Sequence, residues 1–181
     1  PPQPPTGWTV GEPSIELTLP EPFEIDASIG EVVRFFVLPT SFDSDRLVTG
    51  VDVLPGSRAV VRHVSVYVDT TGVARTADES EDGPGFSTGV ENARPIAVWW
   101  PGQAVIDLDG VGYRLPAGAD LVARILYKKT WITEGQGFTD QTRLGLHFAD
   151  GVATASIDQT VMSSEPGLAG RQLTISHNFD A

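Results

Sequence analysis

Apolar and polar residues alternate with a period of two along run after run of this chain, and nowhere does the 3.6-residue period of a long amphipathic helix replace it. The runs are short, rich in β-branched and aromatic residues, and bounded by glycine and proline: 15–19, 32–38, 48–53, 59–68, 96–100, 112–115, 121–127, 144–148 and 173–176. A chain of 181 residues written this way predicts an all-β fold, an antiparallel β-sandwich of the jelly-roll type. About nine strands are expected, because doubling the sheet hides its edges and buries one face of each strand. Almost no helix is expected. The alternation nominates Leu17, Leu19, Phe35, Val37, Val53, Val64, Val66, Leu121, Ile125, Leu144, Leu146 and Phe148 as core.

Turn chemistry divides the runs. Asp109-Gly110 and Asp150-Gly151 each predict a tight hairpin, the second joining 144–148 to 152–157, since two positive φ angles match the twist of the flanking strands. The segment TADESEDGPGFSTG, residues 76–89, is too polar and glycine-rich for a strand and predicts a long exposed loop. Residues 1–7 are predicted to be a stiff proline-rich linker and residues 8–157 the sandwich. Residues 158–181 are predicted to be a connecting loop and terminal strand leading toward a second domain.

Chemistry is narrowed by what the chain lacks. It contains no cysteine, so disulfides, thiolate metal sites and thiol catalysis are excluded. Twelve Lys+Arg against 24 Asp+Glu give a formal charge of −12, which repels phosphate backbones and anionic bilayers, so nucleic acid is not expected as a partner. No apolar run approaches ~18 residues, so membrane insertion is not expected either. No G-x-S-x-G elbow or phosphate-binding glycine loop is present.

Three histidines remain, His63, His147 and His177. In RAVVRHVSVYVD, alternation places Val60, Arg62, Val64, Val66 and Val68 on one strand face and Val61, His63, Ser65, Tyr67 and Asp69 on the other. His63, Ser65 and Tyr67 then form a polar stripe, the reading of a solvent- or loop-facing strand unless a ligand meets it. His147 and His177 read as surface positions. The acidic run Asp78, Glu79, Glu81, Asp82 does not have calcium-loop spacing and reads as solvated. Asp107 and Asp109 are explained by their turn. In Trp99-Trp100-Pro101-Gly102, alternation buries one ring and turns the other outward, where it can stack on a ligand.

Five segments, in order, carry a resemblance: GWTVGEPSIELTLPEPFEI, VVRFFVLPTSF, VDVLPGSRAVVRHVSVYVD, VWWPGQAVIDLDGVGYRLPAGADLVARILYKKT and TRLGLHFAD. Over about residues 8–150 the chain resembles bacterial relatives of the copper type II, ascorbate-dependent monooxygenases, the family of peptidylglycine α-hydroxylating and dopamine β-monooxygenases. The likeness is to the first of their two jelly-roll domains. The resemblance implies an extracytoplasmic, oxidoreductase-like protein with copper held by three histidines. Two would form an adjacent pair where this chain has Arg62-His63, and the third would lie where it has Leu126-Tyr127-Lys128. Only His63 is kept, a remnant ligand, and no cofactor is expected in this chain. Arg62 also sets a fixed cation beside the metal position; at ~6 Å and an effective dielectric near 20 it repels a dication by roughly 5 kcal/mol. The family's second copper belongs to a following domain, and Met162 has no H-x-H segment to replace it. The resulting expectation is a degenerate, non-catalytic scaffold or interaction module of a larger protein. One alternative is the structural half of a hydroxylase whose active copper follows in another domain. The other is a carbohydrate- or peptide-binding module using Tyr67, Trp99, Trp100, Tyr127 and Trp131.

Overall fold

The computed structural model describes residues 7–87, 95–103, 105, 111–149 and 155–157. In chain order its elements are β1 (Ile15–Thr18), β2 (Phe23–Ile25), β3 (Glu31–Pro39), β4 (Arg46–Leu54), β5 (Val61–Asp69), α1 (Val73–Glu79), β6 (Pro95–Trp99), β7 (Val111–Leu115), β8 (Asp120–Lys128), β9 (Phe138–Asp140), β10 (Arg143–Phe148) and β11 (Ala155–Ser156). One sheet runs β1-β10-β4-β7-β11 and the other β3-β8-β5-β6, with β2-β9 as a small ribbon. Pairing is antiparallel except between β11 and β7. The fold is thus the nearly all-β antiparallel sandwich that the alternation predicts.

Period-two patterning decides which side chains meet between the sheets. On β8, Leu121, Ala123, Ile125 and Tyr127 enter the core, where Val64 and Val66 of β5 join Val51 and Val53 of β4 and Leu144 and Leu146 of β10. Val64, Val66, Leu121, Ile125, Leu144 and Leu146 are wholly inaccessible, and burying each such side chain contributes about 1.5–3 kcal/mol. Leu19 and Val53 are core as expected, while Leu17 and Phe148 are half-buried at its margin.

Phe35 and Val37 are buried on the opposite face of their sheet from the one predicted. The inter-sheet residues of β3 are Phe36 and Leu38, whereas Phe35 and Val37 join Val122, Ala74 and Phe86 in a second cluster. The cause is a correction to the expected loop at 76–89: its beginning is helical, in α1, and its end is strapped to β3. Phe86 and Phe35 exchange backbone hydrogen bonds of 2.9 Å in both directions, and their rings stack with centroids 5.4 Å apart. Arg34 donates to the carbonyls of Pro84 and Gly85 at 3.1 and 2.5 Å and pairs with Glu81 at 3.1 Å. An edge strand that would otherwise present open backbone groups is thereby covered.

A seven-residue helix leaves too little sequence for a helical period to show, and this one is held from outside. The Asp69 carboxylate accepts the N–H groups of Thr71, Gly72 and Ala74 and the Thr71 hydroxyl. Burial opposes ionisation of Asp69, but these donors outweigh it and hold its carboxyl below the usual carboxylate value. Arg75 forms a two-pronged ion pair with Asp120 on the neighbouring strand.

The hairpin predicted at Asp150-Gly151 does not form its expected pair. β11 lies parallel to β7, with Ala155 opposite Val111, because β10 already has β1 on one edge and β4 on the other. The turn residues themselves, the Asp109-Gly110 turn, most of the predicted linker 1–7 and the segment 158–181 with its terminal strand lie outside the described residues.

Candidate functional site

The outer face of β5 and β8 brings the two strand positions of the implied metal site together. His63, Ser65 and Tyr67 stand opposite Leu126, Arg124 and Val122 in the antiparallel register, and Leu126 has Val33 of β3 on its other side. The polar stripe therefore exists as predicted for these three residues. What alternation misses is a bulge: Val61 pairs with Tyr127 and His63 with Leu126, so Arg62 is an extra residue on β5. The bulge resets the face pattern and leaves Val60 and Val61 both fully buried.

Arg62 uses its guanidinium on its own turn, donating to the carbonyls of Ala59 at 2.6 Å and Arg58 at 3.3 Å. His63 is half-buried, with Nδ1 3.5 Å from Ser65 Oγ. Burial, and secondly the Arg124 charge beside it, hold its imidazole below the ordinary histidine value, so it is neutral at pH 7. Arg124 in turn lies over the Phe35 ring, 5.9 Å from its centroid. Leu126 is half-buried. The residues present do not fit a copper ion. Such an ion needs several neutral imidazoles, and the nearest neighbours of His63 across and along the strands are Leu126, Ser65 and a cation. Among the described residues, no group of three His, Asp or Glu side chains is placed to hold a metal.

The remaining candidates are distributed elsewhere. Tyr127 points inward, 1% exposed, and its hydroxyl donates to Asp140 at 2.9 Å. Burial, and then the Asp140 charge, push that hydroxyl far above the ordinary tyrosine value. Its ring cannot stack on a ligand in solvent, because strand parity places it with Ile125 in the core. Tyr67 is half-buried at the margin of the second cluster, below α1. His147 lies in β10 opposite Gly50, with Nε2 buried and unpartnered. His177, Asp107 and Asp109 fall outside the described residues. In the acidic run, Glu81 accepts from the Ser87 N–H and hydroxyl at 2.7 and 2.8 Å and so serves the strap.

The tryptophan pair divides as alternation predicts. Trp99 packs against the core while Trp100 is 51% exposed. Together they form one wall of a cleft of about 440 Å³ between the sheets, with residues 95–98 of β6 on the same side and Val48–Val51 and Tyr113 opposite. Sequence marks only the tryptophan wall. β4 and β7 belong to the other sheet, and no local pattern announces that they face β6. No protein-family profile matches this sequence, and no curated protein or solved structure matches it.

Proposed function

We propose that this chain is a non-catalytic scaffold or interaction module: a jelly-roll domain of the copper-monooxygenase type whose metal positions have passed to other residues, acting within a larger extracytoplasmic protein. One observation carries the reading. His63 faces Leu126 directly across the β5/β8 pairing while Arg62, beside it, is bonded to its own turn. An adjacent histidine pair plus a cross-strand histidine would converge there; here a single imidazole meets an aliphatic side chain and a guanidinium. The hydroxylase alternative would place its active copper in a following domain and give this half a structural role, so it too asks no metal of this face.

The constructive test is the double variant Arg62→His, Leu126→His. On this reading it gains one copper site per chain, with an affinity at least tenfold above the wild type in a competition titration against a chromogenic Cu(I) chelator. A folded double variant with no gain would show that the backbone never had a metal-binding geometry, and would remove the family reading.

A further inference from the structure

We propose that the cleft between β6 and β4 is a binding site for an uncharged, flat aromatic small molecule carrying one N–H or O–H donor. The proposal stands apart from the fate of the copper positions. One residue in five of this chain is charged, yet none of the described residues lining the cleft is. An ionic ligand would find no counter-charge among them and would lose its hydration without return. The walls are instead aliphatic strand residues and three aromatic rings, Trp99, Trp100 and Tyr113, which offer faces and edges to a planar group.

Size selects a small molecule over a protein. About 440 Å³ lies within the roughly 300–1,000 Å³ of small-molecule sites, while a stable protein partner needs about 800 Å² of surface from each side. One polar requirement is also visible. Gln103 lines the cleft, and its side-chain oxygen Oε1 is buried without a hydrogen-bond partner. The Thr49 hydroxyl, also in the lining, already donates to the His147 carbonyl at 3.2 Å. A ligand donor would complete the Gln103 amide, and leaving such an acceptor unpaired in a closed complex is costly. Indoles and phenols carry that combination of a flat apolar body and one donor.

The test titrates the whole chain with indole and with 1-methylindole, which has the same shape and no donor, and follows the four tryptophan indole N–H resonances by NMR. Saturable one-to-one shifts of Trp99 and Trp100, with Trp8 and Trp131 unmoved, are expected. The methylated compound should bind about tenfold more weakly. Trp100→Ala should weaken both ligands, and Gln103→Leu should bring the two affinities together. No saturable shift, equal shifts at all four tryptophans, or equal affinities in the wild type would each overturn the proposal. Trp131, 85% exposed, supplies a further arm. Self-association that indole competes away and Trp131→Ala abolishes would assign the cleft to a second copy of the chain and would equally overturn it.

Discussion

Replacing Asp140 by alanine lowers the thermal midpoint by about 10 °C, the larger of the two strongest effects expected here. Asp140 is wholly buried and its carboxylate gathers three chain segments. It accepts the Ser57 N–H at 2.7 Å, the Tyr127 hydroxyl at 2.9 Å and the Thr142 hydroxyl at 2.8 Å. Ser57 opens the turn before β5, Tyr127 ends β8 and Thr142 leads into β10, so one side chain ties both sheets at a single end. With the Thr142 N–H at 3.3 Å, alanine leaves four buried donors without that acceptor. Breaking a buried charged network by removing one member costs about 3–5 kcal/mol, and in a chain of this size each kcal/mol moves the midpoint by roughly 2–4 °C. Tyr127→Phe removes one donor and leaves the others paired, so it costs only about 1 kcal/mol. The check is thermal denaturation of both variants, and equal small shifts would mean that the network contributes little.

Gly85→Ala is the second large effect, about 2–4 kcal/mol, from strain in the backbone and a clash that nothing nearby can relieve. Gly85 has φ +68°, and an added Cβ would lie 2.4 Å from the Phe35 carbonyl oxygen and 2.8 Å from the Phe36 ring. Backbone cannot yield as a side-chain tip does, so the strap must lift. Its lifting removes the Phe35–Phe86 pairing and the two carbonyls bound by Arg34, exposing the edge of β3. Gly83 in the same loop has φ +84° but, among the described residues, no atom within 4 Å of an added Cβ. Gly83→Ala therefore reports the φ penalty alone, about 1 kcal/mol. Urea denaturation of the pair, with hydrogen exchange at the Phe35 amide, separates the two. Similar losses in both variants, with Phe35 still protected, would show that the strap is not what covers this edge.

Much of the sandwich is legible in the sequence because strand parity is local. The alternation of β8 and of residues 64–68 is readable from neighbouring residues alone, and the side chains of Ile125, Val64 and Val66 lie where it puts them. What is not legible depends on distant segments. Phe35 and Phe36 are both apolar because each face of β3 is covered, one by the opposite sheet and one by α1 and Phe86, and the covering residues lie some fifty positions away. The bulge at Arg62 has no glycine to announce it. The choice of β7 over β10 by β11 follows from which sheet edge is vacant, a property of the whole sheet. At the candidate site, sequence nominated His63, Leu126 and the tryptophans. It did not nominate Gln103 or Tyr113, which earn their place only when the two sheets are brought face to face.

The proposal that the copper positions implied by the resemblance hold no metal in this chain meets its sharpest test in a competition titration of the wild-type chain with Cu(I), paired with His63→Ala. The chelator is expected to keep the copper, with wild type and His63→Ala indistinguishable, since a lone imidazole beside Leu126 and Arg62 offers too few ligands. A one-to-one submicromolar site in the wild type that disappears in His63→Ala would contradict it.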